Sequence, residues 1–307
     1  MDIIVGYTGF VGSNICIKHN FDRLFNSMNI EDSFGINPEL CVYSGVRAEK
    51  FLANSEPEKD FDIILNAIEN IKRINPKKIV LISTADIYIY PVGVDENSLI
   101  ETEGLQPYGK NRYYLEEWIM NNIKDYHIIR LPGLFGENIK KNFIYDLINV
   151  LPSMLNSDKY NELSQKEETI KKLYVRCDNG FYKCVCDNEN DRLLLKQAFE
   201  KTGFSALNFT DSRAIFQFYN LSYLWEHINT AIYRKIKLLN VAVEPICVDE
   251  VYFAVKCKHF VNEMAQMVPK YDLKTIYSDA FGGANGYIFD RQKVLQDVKN
   301  FITSQLC

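Results

Sequence analysis

Gly6, Gly9 and Gly12 recur at intervals of three in Gly6-Tyr7-Thr8-Gly9-Phe10-Val11-Gly12. A residue without a Cβ lets a backbone turn tightly and bring its N–H groups against anionic oxygens. The chemistry that fits is the binding of a pyrophosphate. Such a loop works only if a strand delivers it and a helix N-terminus follows, adding partial positive charge. Met1-Asp2-Ile3-Ile4-Val5 reads as that strand, and Ser13-Asn14-Ile15-Cys16-Ile17 opens that helix. In this context the glycine string points to a dinucleotide site.

The elements that must hold the loop follow the same alternation. Strands are expected over residues 2–6, 22–26, 40–44, 78–83 and 127–131. Helices are expected over 11–19, 58–74, 109–124 and 139–150. Strands alternating with helices imply a parallel sheet covered on both faces. Ile79-Val80-Leu81-Ile82 is a continuous apolar run of the kind a doubly covered strand requires. The fold class is α/β: a Rossmann-type doubly wound parallel sheet with a smaller C-terminal cap. The expected division is a nucleotide domain over 1–150 and a substrate-binding cap over 151–307, from which about 213–245 returns to the first domain. Residues 156–192 are polar, with only Tyr182-Lys183-Cys184-Val185-Cys186 suggesting a short strand. Later helices are expected over 191–203, 222–235, 248–256 and 290–305, and a strand over 238–242.

Composition narrows the class. The chain has 307 residues, 47% hydrophobic and 24% charged, which suits a globular protein with a sizeable core. A net charge of −5 argues against a nucleic-acid partner, since no basic excess exists to neutralise phosphates. No apolar stretch approaches a membrane span, and the first strand begins at once, so the expected setting is cytoplasmic. Eight scattered cysteines fit reduced thiols. Cys177, Cys184 and Cys186 cluster but lack a fourth ligand and a metal-site spacing, so no metal is expected.

A second constellation follows the fourth strand. Ser83-Thr84-Ala85-Asp86-Ile87-Tyr88 ends it, and Pro107-Tyr108-Gly109-Lys110-Asn111-Arg112 opens the next helix. With the glycine loop, these segments resemble the extended short-chain dehydrogenase/reductases of the epimerase/dehydratase type, which modify nucleotide sugars. The resemblance covers 1–136 well, 213–245 moderately and 151–212 poorly. It implies that a hydroxyl from Thr84 or Ser83 and the phenol of Tyr108 handle the proton of a sugar hydroxyl during hydride transfer. A phenol with a pKa near 10 needs a stabilised phenolate to act as a base. A cation one helical turn away provides it. The family has lysine at that place, whereas this chain has Arg112. Arginine keeps the charge and can bond a ribose diol, but it cannot relay a proton. Lys110 lies on the wrong side of the helix. The plain alternative is a helix-start aromatic and a solvated arginine.

The resemblance assigns further residues. Thr84-Ala85-Asp86 resembles the dehydratase arrangement in which an acid removes a proton beside a keto group, so Asp86 is a candidate for catalysis or substrate contact; it could equally cap a loop. Cofactor contacts fall on Gly6, Thr8, Gly9, Phe10, Val11 and Gly12, on Asn26, Ser27, Ser44 and Gly45, on Tyr108 and Arg112, and on Pro132 in Arg130-Leu131-Pro132-Gly133-Leu134-Phe135-Gly136. Arg213 begins a block resembling the one whose arginine holds the substrate diphosphate, a use suited to a planar fork of donors. Gln217 and Asn220 depart from that block, and a surface arginine before a buried strand is the alternative. Asn142 is a further substrate-side candidate.

Where a carboxylate would hold the ribose 2′-hydroxyl stands Asn26. Its absence removes repulsion of a 2′-phosphate that Ser27 and Arg23 could contact, although Asp22 and Asp32 are also near. The cofactor expected is NAD or NADP, leaning to NADP. The expected activity is that of an NAD(P)-dependent epimerase, 4,6-dehydratase or keto-reductase on a nucleotide sugar, as in polysaccharide biosynthesis. A homodimer through the helices over 109–124 and 139–150 is expected. The alternative is a weakened NAD(P)-binding regulator or scaffold that has lost the catalytic lysine.

Overall fold

The computed structural model describes residues 1–186 and 188–306. The chain forms two compact units. The first comprises Met1–Ile139, Ile215–Ile246 and Pro269–Val298; the second comprises Lys140–Ala214, Cys247–Val268 and Lys299–Cys307.

The first unit opens with β1 (Asp2–Val5), α1 (Phe10–Lys18), β2 (Arg23–Phe25), β3 (Leu40–Tyr43), α2 (Lys50–Ser55) and α3 (Pro57–Ile74). It continues with β4 (Ile79–Thr84), α4 (Pro107–Asn122), β5 (Tyr126–Leu131) and β6 (Gly133–Phe135). The second unit carries α5 (Phe143–Ile148), β7 (Met154–Leu155), α6 (Ser157–Lys166), α7 (Glu168–Leu173), β8 (Tyr174–Arg176), β9 (Tyr182–Cys184) and α8 (Glu189–Thr202). The chain then returns to the first unit with β10 (Ile215–Phe216), β11 (Phe218–Asn220), α9 (Leu224–Tyr233) and β12 (Leu238–Asn240).

Six parallel strands are ordered β2-β1-β3-β4-β5-β12. The order reverses at β1, so the crevice for a ligand opens beyond the carboxyl ends of β1 and β3. Apolar runs are required because helices cover both faces: every residue of β3 is buried, and Ile79, Val80 and Leu81 of β4 are at most 1% exposed. α3 shows how the sequence builds its side of the core. Pro57 starts it, and Asn75 ends it in the left-handed conformation. Ile64, Ala67, Ile68, Ile71 and Ile74 recur at helical spacing and pack on Ile3, Val5, Cys41, Ile79 and Leu81. Each buried isoleucine contributes about 1.5–3 kcal/mol relative to exposure.

The strands fall within a residue or two of the expected spans. The helix expected over 139–150 is shortened to Phe143–Ile148. Asn142 stops it from starting earlier: its φ is 101°, and its side-chain oxygen accepts from the N–H groups of Ile144 and Tyr145.

The second unit has its own small core of Leu155, Leu163, Ile170, Tyr174, Leu195 and Phe199 beneath a three-stranded antiparallel sheet ordered β7-β9-β8. Cys184 and Cys186 flank this core as thiols whose sulfurs are 3.4 Å apart. Among the described residues no helix is long and apolar enough to cross a membrane.

Candidate active site

The glycine loop leaves β1 and enters α1 directly. Gly6 has a φ of +90°, and a Cβ there would strike the backbone of Ser44 and Gly45. A Cβ on Gly12 would strike the carbonyl of Gly6 and lie 2.8 Å from the Ser44 Oγ. Side chains would therefore fill the cradle from two directions. Ser44 closes its wall by donating from its amide and its Oγ to the Val5 carbonyl, both at 2.9 Å. Gly9 caps α1, so the amides of Phe10, Val11 and Gly12 have no upstream helical carbonyl to bond. No acidic residue lies in the first turn. This donor set and this steric shape fit the pyrophosphate of a dinucleotide. Thr8 and Gly9 are exposed at the loop tip, and Gly45 and Pro132 lie at the carboxyl ends of β3 and β5.

Asn26 follows β2. Its amide donates to the Asn29 Oδ1 and its own Oδ1 accepts from Met28, both at 2.8 Å, so its side chain supports the local turn. Ser27 is exposed beside it. Asp22 is at the other end of the strand, accepting from the amide of Asp2 at 2.7 Å, and does not face the crevice. That removes one of the two acids near the ribose position.

Two strands along the sheet, roughly 10 Å away by strand spacing, β4 ends at Thr84. Its Oγ1 accepts from the amide of Asp86 at 3.1 Å, and its hydroxyl lies near the Tyr108 phenol, where it favours the phenolate. α4 places Tyr108 in its first turn, where Pro107 starts the helix and the Asn54 side chain accepts from the Tyr108 amide at 2.9 Å. Gly109 permits this close approach, because a Cβ there would collide with the carbonyl of Asp86. Tyr108 is 8% exposed. Burial raises its pKa; the Arg112 charge opposes the rise, Asp86 adds to it, and the Thr84 hydroxyl and Lys50 oppose it.

Arg112 stacks over the Tyr108 ring, with its guanidinium carbon 4.0 Å from the ring centre. It also donates to the Asp60 carboxylate and to the carbonyls of Tyr108 and Arg47. Asn111 donates to the same Asp60 oxygen at 2.8 Å. The arginine charge is thus compensated within the fold by Asp60, an acid that no motif singles out.

Ser83 is corrected. Its Oγ donates to Glu116, whose carboxylate is paired with Arg130 at 2.7 Å. Arg130 also donates to the Tyr88 hydroxyl at 2.9 Å. All four residues are buried. Glu116 lies about two turns along α4 from Tyr108, and it takes Ser83 into this network.

Asp86 stands at the wall of a cleft of about 190 Å³ with Lys50, Tyr88, Leu105, Gly109 and Tyr271. Lys50 Nζ donates to Asp86 Oδ1 at 2.8 Å, and the Tyr271 hydroxyl donates to the same oxygen at 2.9 Å. Lys50 and Tyr271 were not anticipated. They come from segments 36 and 185 residues from Asp86, and neither lies in a motif.

Arg213 and Asn142 belong to the second unit. Asp211 clamps Arg213 through two guanidinium contacts at 2.9 and 2.8 Å, and Glu263 and the Ala265 carbonyl take further donors. The arginine holds Asp211 well below the usual carboxylate range. A diphosphate there would meet a charge that two carboxylates already answer. Asn142 serves as the cap of α5. Gln217, a departure within the same block, joins the first unit, where its side chain donates to the carbonyls of Val243 and Leu273 and accepts from the amide of Leu273.

Solved structures share this architecture over the whole chain. A dTDP-4-dehydrorhamnose reductase from Bacillus anthracis, in complex with NADP, superposes with a TM-score of 0.61 at 15% identity, covering 99% of this chain and 98% of that one. The chain shares the fold of these enzymes. UDP-glucose 4-epimerase from Thermotoga maritima, with UDP-glucose, gives 0.60 at 14% identity and covers 100% of both chains. The Bordetella bronchiseptica enzyme WbmG, with NAD and UDP, gives 0.62 at 14%, covering 99% of this chain and 94% of that one. No protein-family model matches the chain, and no curated protein matches it in sequence.

Proposed function

We propose that this protein is an NAD(P)-dependent oxidoreductase acting on a nucleotide sugar, with Tyr108 as its acid/base. The observation that carries this reading is the placement of Tyr108, buried at the start of α4 against the turn that follows Thr84, in the same unit as the glycine cradle. Gly6, Gly9 and Gly12 would admit the pyrophosphate, with Ser44 and the α1 amides around it. When bound, the nicotinamide supplies hydride acceptance or donation. As a phenolate, Tyr108 accepts the proton of the sugar hydroxyl as its O–H bond breaks, or as a phenol it returns the proton to the keto oxygen in reduction, and Thr84 bonds the same oxygen. Arg112 orients the phenol by stacking on it. NADP remains the preferred cofactor, because no carboxylate follows β2 at position 26. Lys50 and Tyr271 engage Asp86, which favours keto reduction or epimerisation over elimination. A homodimer through α4, where Tyr114 is 44% exposed, belongs to the same reading.

The compensation of Arg112 by Asp60 supports a second reading, a dinucleotide-binding regulator without turnover. One experiment separates them. Thermal unfolding is followed with NAD, NADP and their reduced forms, then with UDP- and dTDP-sugars added. Ligand at a hundredfold over its Kd stabilises by about 2.7 kcal/mol. The enzyme reading expects one dinucleotide to stabilise and one nucleotide sugar to be turned over. Tyr108→Phe should bind the dinucleotide unchanged and lose roughly 10²–10⁴-fold in turnover. Binding without turnover of any sugar would favour the regulator, and absence of dinucleotide binding would overturn both.

A further inference from the structure

Resting on the reading above, the position of Lys50 has a consequence that no motif carries. Arg112 stacks on Tyr108, and the Asp86 turn packs against the next residue, Gly109. Arg112, on its own helix, is matched by Asp60 of α3. Asp86, after β4, is a carboxylate whose charge opposes formation of a phenolate. Lys50, at the start of α2, is 2.8 Å from Asp86 and 3.4 Å from the Tyr271 hydroxyl. The Lys50 side chain is 46% exposed, so its ammonium can exchange protons with solvent. Arg112 also favours the phenolate, but it stays protonated and cannot exchange a proton.

We infer that Lys50 is a positioning residue that neutralises Asp86 beside Tyr108, supplying from α2 the exchangeable cation that the helix position four residues after Tyr108 lacks. Tyr271 holds the carboxylate in place for this pairing. Burial pulls on the ammonium in one direction, but Asp86 and Tyr271 outweigh it and keep Lys50 charged above its ordinary range. With the pair intact, Asp86 presents little net charge to the phenol. With Lys50 gone, an unbalanced anion faces it.

The test reads Tyr108 directly and needs no substrate. Protein labelled with ¹³C at the tyrosine Cζ is titrated by NMR, and the Tyr108 signal is assigned by its loss in Tyr108→Phe. Lys50→Gln should move the Tyr108 midpoint upward by roughly half to one pH unit, Asp86→Asn should move it downward, and Lys50→Gln/Asp86→Asn should return it close to wild type. Lys50→Arg should keep the wild-type midpoint. A general loosening of the site would not be rescued by removing the second charge. A Lys50→Gln midpoint equal to wild type, a double variant that stays with Lys50→Gln, or no ionisation of Tyr108 below pH 11 in any variant overturns the inference. Dinucleotide binding, measured separately, tells this failure from failure of the enzymatic reading.

Discussion

Arg112 and Lys50 both bear on Tyr108, yet they are held in opposite ways. The Arg112–Asp60 pair leaves only 6% and 7% of its side chains exposed, whereas the Lys50–Asp86 pair leaves 46% and 22%. Removing two charges from water is expensive, and their attraction repays it only with good geometry and further hydrogen bonds. The buried pair meets that condition: Asn111 and two carbonyls complete it. It fixes the position of a ring. The open pair gains less from each contact, but solvent can reach it and its lysine can exchange protons. One cation builds the site, and the other can adjust it.

Breaking the buried pair should have the largest effect. Asp60→Ala leaves an unmatched guanidinium under Tyr108, and the expected loss is about 3–5 kcal/mol of unfolding free energy, measured by denaturant titration. Replacing both partners, as in Asp60→Leu/Arg112→Met, should recover most of it, because two apolar groups leave no orphan charge. A loss below 1 kcal/mol in Asp60→Ala would erase the distinction between the two pairs.

Gly109→Ala acts between them. The new Cβ would collide with the Asp86 carbonyl, so either α4 or the turn after β4 must move. Overpacking of this kind costs about 1–3 kcal/mol. The move would separate Thr84 from Tyr108, so dinucleotide binding should survive while turnover falls. Equal stability and turnover in Gly109→Ala would show that the close approach is not needed.

This division also explains what could be seen in the sequence. The sheet was legible because doubly covered strands must be continuous apolar runs, as in Ile79-Val80-Leu81-Ile82. The cradle was legible because only glycine fits at Gly6 and Gly12. Thr84 and Tyr108 were legible as types on a strand end and a helix start. Their charged surroundings were not. Asp60 lies 52 residues from Arg112, and Lys50 lies 36 from Asp86. No local periodicity marks such pairs; tertiary packing creates them. Ser83 was misread for a related reason: its neighbour Thr84 has the same chemistry, and only Glu116 on α4 decides between them. Residues 157–184 of the second unit were the least legible, because the strands there are three residues long and the helices are short and polar.

The smallest expected effect is the most telling about the open pair. Lys50→Gln should change unfolding free energy by less than about 1 kcal/mol, since a partly exposed ion pair is screened and its side chains are costly to order. Raising salt from about 0.05 M to 1 M shortens the screening length to about 3 Å, so the wild-type advantage over Lys50→Gln should shrink further. The deficit of Asp60→Ala should hardly respond, because water and counterions do not reach that pair. Denaturant titrations of both variants at the two salt concentrations measure this. A Lys50→Gln deficit as large and as salt-resistant as that of Asp60→Ala would mean that Lys50 is a second structural anchor, and the site would then have no adjustable cation beside Tyr108.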